Sequence, residues 1–171
     1  MGSLGGQTMK CPIPAAVLGL CSALASIPSL CAAGGPIAYP EGYRHWTHVK
    51  SMVIQEGHGL YDAFGGIHHI YANAEALKGY ETGSFADGAV IAFDLLEADR
   101  PENAISEGPR KVLGVMVKDR ARFQETGGWG FEGFAAGDPA RRAVGDNAAE
   151  ACFECHSSQA DHDYVFSRWR P

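Results

Sequence analysis

Five short stretches of β-branched and aromatic residues set the rhythm of the chain: 49–54, 67–71, 89–96, 112–117 and 129–134. Turn residues such as Asp87-Gly88 and Gly127-Gly128 flank them, the pattern of strands joined by tight connections. Four or five antiparallel strands are the economical reading. Helical pieces fit between them. Tyr43 and Trp46 stand at helical spacing in 40–48, and Asn73 can cap a helix whose Leu77 and Tyr80 share a face and whose stop is Gly83. Further helix is expected over 119–125, over most of 138–155, and as a short segment in 161–169. Of the 22 glycines, 17 fall in residues 35–171. Each would cost about 1 kcal/mol in a helix interior relative to alanine, which argues against a helical bundle. The expected architecture is α+β, a mainly antiparallel β-sheet with flanking short helices.

The first forty residues follow a different pattern. Lys10 is their only charged residue, 15–27 is apolar and small, and Ser29, Cys31, Ala32, Ala33 and Gly34 cluster after it. That is the pattern of a cleaved export signal over 1–33, with cleavage after Cys31, Ala33 or Gly34 and Met9 as a candidate start. The apolar run is too short for a comfortable membrane span, and nothing later is apolar for long enough. A soluble periplasmic protein with one domain over 34–171 is expected, long enough to bury a core around a cofactor. Removing the leader leaves 13 basic against 20 acidic residues, a balance of −7 that makes nucleic acid an improbable partner.

The candidate chemistry lies near the C-terminus. Cys152-Phe153-Glu154-Cys155-His156 matches C-x-x-C-H, the pattern that attaches c-type haem. From the frequencies of Cys and His, about 0.006 chance matches would be expected in the chain. Each thiol adds across one vinyl group, two intervening residues let both sulfurs reach one ring edge, and the next histidine falls under the iron. A redox Cys pair or half a zinc site uses the same spacing. The other cysteines, Cys11, Cys21 and Cys31, all lie in the leader, so no second ligand pair survives cleavage and no disulfide is expected. Export agrees with haem c attached through Cys152 and Cys155, with His156 as iron ligand. The haem would lie between the sheet and the C-terminal segment.

Several motifs together resemble the cytochrome P-460 superfamily: Tyr43-Arg44-x-Trp46, Ile67-His68-His69-Ile70-Tyr71 followed by a helix, Thr82-Gly83-x-Phe85-x-Asp87-Gly88, Gly127-Gly128-Trp129-Gly130-Phe131, C-x-x-C-H, and Asp163-Tyr164-Val165-Phe166. Within it the chain looks most like the cytochrome c′-β branch. The resemblance implies a mainly β homodimer with one five-coordinate haem per chain. It also implies a choice between hydroxylamine oxidation on a lysine-cross-linked haem and binding of NO and CO in an apolar pocket.

What lines the open face of the iron decides between them. An electron carrier would fill that face with Met or His, and would need a redox partner protein. Met52 and Met116, the methionines left after cleavage, lie in predicted strands and read as core packing. His68 and His69 are neighbours on one strand, so only one can face the haem. The c′-β resemblance implies that Phe64 and Phe93 cap the vacant site, which would favour small uncharged diatomics. The enzyme reading asks for a lysine at the haem edge. Lys78 reads as surface, Lys50 qualifies only if its strand passes the haem, and the cross-link is assigned to neither, nor to Lys111 or Lys118. Glu56, Asp62 and Asp94 read as solvated carboxylates. Arg168 and Arg170 are placed in a tail folding back near His156, where Arg168 could pair with a haem propionate. Gas binding at His156-ligated haem, NO scavenging or buffering, is the favoured expectation. Hydroxylamine oxidation and electron transfer remain as alternatives.

Overall fold

A computed structural model describes residues 35–171. The proposed leader lies outside the described residues. Five strands, β1 (Thr47–Ile54), β2 (Gly66–Ala72), β3 (Val90–Asp99), β4 (Ser106–Lys118) and β5 (Trp129–Ala135), form one antiparallel sheet in sequence order. Every strand pairs with its chain neighbour, so each connection is local. All five strand positions read from the sequence hold. β3 and β4 run longer than their apolar centres because backbone pairing continues out to Asp99 and Ser106.

The alternation of side chains gives the sheet two buried faces. On one, Ile70, Ile91 and Phe131 pack with Phe85, Trp129 and Val165. On the other, Ala92, Leu113, Val115 and Phe134 are covered by Ile37 and Tyr43 of the segment preceding β1. Asp94 lies on this second face, 1% exposed. It receives a bidentate pair from Arg110 at 2.6 and 3.1 Å and the Tyr43 hydroxyl at 2.7 Å. That corrects its reading as a solvated carboxylate: an arginine fork from the neighbouring strand makes its burial tolerable.

Of the helices, only the capped one forms as read. Helix α2 (Ala74–Thr82) begins at Asn73, whose side chain accepts from Ala76 N at 2.8 Å, and stops at Gly83 with φ 82°. The readings over 40–48 and 119–125 shrink to single turns, whereas the one over 138–155 holds in its second half, from Gly145 onward. In 40–48 only Tyr43–His45 turns, because Gly42 enters left-handed and Trp46 is already extended toward β1. In 119–125 only the 3₁₀ turn Gln124–Thr126 begins, and the left-handed Gly127 ends it. Residues 141–143 instead pair with the open edge of β5, Ala143 N donating to Gly133 O at 2.7 Å and Ala135 N to Arg141 O at 2.8 Å. Pairing that edge satisfies backbone groups a helix there would leave bare. Helical geometry begins with the 3₁₀ turn Gly145–Asn147 and continues through the π-helical turn Ala149–Phe153 to a final α-turn, Glu154–His156. The expected helix in 161–169 does not form: a 3₁₀ segment, Ser157–His162, ends at left-handed Asp163 and Tyr164, and the chain beyond has no helical turn. Among the described residues no helix is long and apolar enough to cross a membrane.

Candidate functional site

Between the first sheet face and the C-terminal segment lies a cavity of about 460 Å³, within the range of cofactor and ligand sites. Its floor comes from alternate residues of the strands: Met52 and Ile54, His68 and Ile70, Ile91 and Phe93, Met116, Phe131. Cys152, Cys155 and His156 form part of its cover, joined by Val165 and Phe166 of the returning tail. Cys152 is half-buried and Cys155 exposed. Burial, with Glu132 adding to it, pushes the Cys152 thiol up, so this sulfur is held as the neutral thiol.

His156 is held from both sides. Its ring lies 5.0 Å from Phe131 and 5.1 Å from Phe166 by centroids, and its Nδ1–H donates to Tyr164 O at 2.7 Å. Burial lowers its pKa, partly opposed by that carbonyl, so the imidazole is neutral with Nε2 as its free lone pair. This is the protonation a metal-bound histidine needs, and the carbonyl is the partner that fixes its tautomer.

The carbonyl is itself clamped. Lys118, 2% exposed, gives its ammonium to Asp163 Oδ1 at 2.6 Å and to Gly127 O at 2.9 Å, above the Trp129 ring. Asp163 also accepts from Phe85 N at 2.9 Å, and its own carbonyl accepts from Trp129 Nε1 at 2.8 Å. Tyr164 can then sit left-handed with its ring over Gly127, where any Cβ would collide with it.

At the other end stand Phe64 and Phe93, ring centroids 5.8 Å apart and edge to face. Phe64 closes the short helix α1 (Tyr61–Phe64) and is 38% exposed. The chain turns from it into β2 through Gly66, whose φ of 129° and approach to the Leu96 carbonyl leave no room for a Cβ. His68 follows two residues later, 5% exposed, its ring 4.8 Å from Phe93. Burial depresses its pKa to about 4, helped by His69 and Lys50. His69 takes the opposite face: it accepts from Ser51 Oγ at 2.6 Å and donates to Glu107 at 2.7 Å. Of the adjacent pair, therefore, only His68 reaches the cavity.

Arg168 is placed outside the cavity lining. Its guanidinium donates to the carbonyls of Val165, Phe166 and Ser167 at 2.6, 3.1 and 3.0 Å, bracing the tail. With His48, Lys50, Arg170 and others it lines a neighbouring polar pocket. Lys50 lines both, Lys78 is on the surface paired with Glu75, and Lys111 binds the Gly65 carbonyl. The sequence reading missed Glu132, which touches the cavity while its carboxylate is held by Arg142 and three backbone N–H groups. It also missed the Lys118–Asp163 clamp. Met52 and Met116, read as core packing, line the cavity.

The family model described as Cytochrome P460 matches residues 40–167, from the turn before β1 to the tail over the cavity. The chain belongs to the cytochrome P460 family. A comparison with curated proteins finds no match. Membership in the cytochrome P460 family implies a haem cofactor, and the donors present fit one. The cavity is apolar, a neutral histidine with an oriented ring stands in its wall, and two thiols lie within four residues of it.

Proposed function

We propose that this chain is an exported c-type haem protein of the cytochrome c′-β kind, binding NO and CO and serving in NO scavenging or buffering. Cys152 and Cys155 would hold the haem covalently, and His156 would give its Nε2 lone pair to the iron. When bound, the haem would supply an iron able to take up a small diatomic ligand. The residues of this chain do the rest: Tyr164 O orients the His156 ring, and the apolar floor excludes water and larger anions. Phe64 and Phe93 leave room only for a small ligand.

The observation that carries this reading is the pairing of the Phe64–Phe93 edge-to-face cap with the Cys-Cys-His wall in one apolar cavity. Lys50 in the same lining supports the alternative of hydroxylamine oxidation on a lysine-cross-linked haem. Against that, Glu132 is the one carboxylate lining the cavity among the described residues, and its oxygens are already engaged by Arg142 and backbone N–H groups. It is poorly placed to take substrate protons. One absorption spectrum with CO separates the readings. A high-spin ferrous haem that takes up CO is expected. A red-shifted ferrous band would mean the lysine cross-link, and low-spin features would mean a Met or His sixth ligand and electron transfer.

A further inference from the structure

Four polar side chains interrupt the otherwise hydrophobic cavity lining around the cysteines and His156: Lys50, His68, Glu132 and Ser167, the last already paired with the Tyr80 hydroxyl at 2.7 Å. Glu132 is saturated by its own partners, and Lys50 is exposed at the rim. His68 is different. It is 5% exposed, and its Nδ1 is buried with no hydrogen-bond partner. A buried polar atom left unpaired costs free energy, and such orphans in a native fold call for an explanation.

The ring chemistry says which nitrogen carries the proton. Burial keeps the imidazole neutral through the physiological range, so one nitrogen is N–H and the other a lone pair. An orphaned N–H is less tolerable than an orphaned lone pair, which puts the proton on Nε2 and leaves Nδ1 as the buried acceptor. A protonated Nε2 donates and cannot bind iron. Position agrees: His68 on β2 lies three strands from Phe131 on β5, about 14 Å of sheet, and His156 packs on Phe131. His68 instead packs on Phe93, one of the two rings of the cap.

We propose that His68 determines ligand specificity in this cavity, its ring N–H donating a hydrogen bond to the outer atom of a small ligand held on the face of the iron away from His156. The favoured class is a small molecule whose outer atom gathers negative charge on binding, such as NO or O₂, over CO. The cap is then not wholly apolar. This rests on the open-face reading above and refines it: Phe64 and Phe93 limit size while His68 selects polarity.

The test uses the haem-loaded protein and the infrared C–O stretch of its ferrous CO adduct, which responds to a nearby donor. His68→Leu is expected to raise that frequency, and His68→Gln, which keeps an N–H donor, to stay near wild type. His68→Leu should also speed NO dissociation about tenfold, the effect of losing one hydrogen bond, while CO dissociation changes less. If His68→Leu does not accumulate, His68→Met, unbranched and adaptable, is measured in its place. A C–O stretch unmoved by loss of the imidazole overturns the proposal, as does a shift produced by Lys50→Met and not by the His68 variants. Wild-type protein that takes up no CO overturns the open-face reading itself, and this refinement with it.

Discussion

At the scale of single residues, the cavity places two aromatic rings, one imidazole and the Cys-Cys-His wall around one space. Phe64→Ala or Phe93→Ala should speed CO association by opening the cap, measured by flash photolysis. Unchanged rates in both variants would sink their assignment to the open face. His68 also makes stability depend on pH. Its folded pKa of about 4 lies below the ordinary value near 6.5, so between the two the unfolded chain binds a proton that the folded one does not. Stability should therefore fall as pH drops from about 6.5 to about 4, by at most about 3 kcal/mol. Urea titrations of wild type and His68→Leu should show the slope flattened in the variant. Equal slopes would show that His68 is not the titrating group.

At the scale of elements, the tail over the cavity is held less by its own helix propensity than by one buried ion pair. Lys118 on β4 reaches Asp163, which fixes Tyr164 and through its carbonyl the His156 ring. Removing one partner strands a buried charge, so Lys118→Met or Asp163→Leu should each cost about 3–5 kcal/mol, and the double substitution less than their sum. Thermal melts of the three variants check this, and additive losses would show that the pair is not coupled. Helix α2 gives a smaller effect: Asn73→Ala should cost about 1–2 kcal/mol, because the side chain also accepts from Val90 N at 3.0 Å. The strands and α2 were legible in the sequence because runs of β-branched and aromatic residues between turn signals, and a cap-to-glycine span, are local signals. The limits of the remaining helices were not. Residues 141–143 joined the edge of β5, so the helix read over 138–155 begins only at Gly145, and 161–169 were turned by Asp163, both effects of partners distant in the chain.

At the scale of the whole molecule, one sheet separates two tasks. Its second face is closed by the segment around Ile37 and Tyr43 and by the Asp94–Arg110 pair, while the first is left open toward the C-terminal cover. If the thiols carry the haem, Cys152→Ser with Cys155→Ser should leave it extractable by acidified organic solvent, whereas wild type retains its colour. Haem released equally from both would show that the thiols are not attached. The sequence by itself determined the five strands, the capped helix and Cys152-x-x-Cys155-His156, because β-branched and aromatic runs, capping and ligand spacing are written in neighbouring residues. Only the tertiary structure decided that His68 and not His69 faces the cavity, that Arg168 braces the tail, and that Lys118 and Asp163 form a pair. Strand register and chain return, which set which side chains meet, arise from packing between residues far apart in sequence.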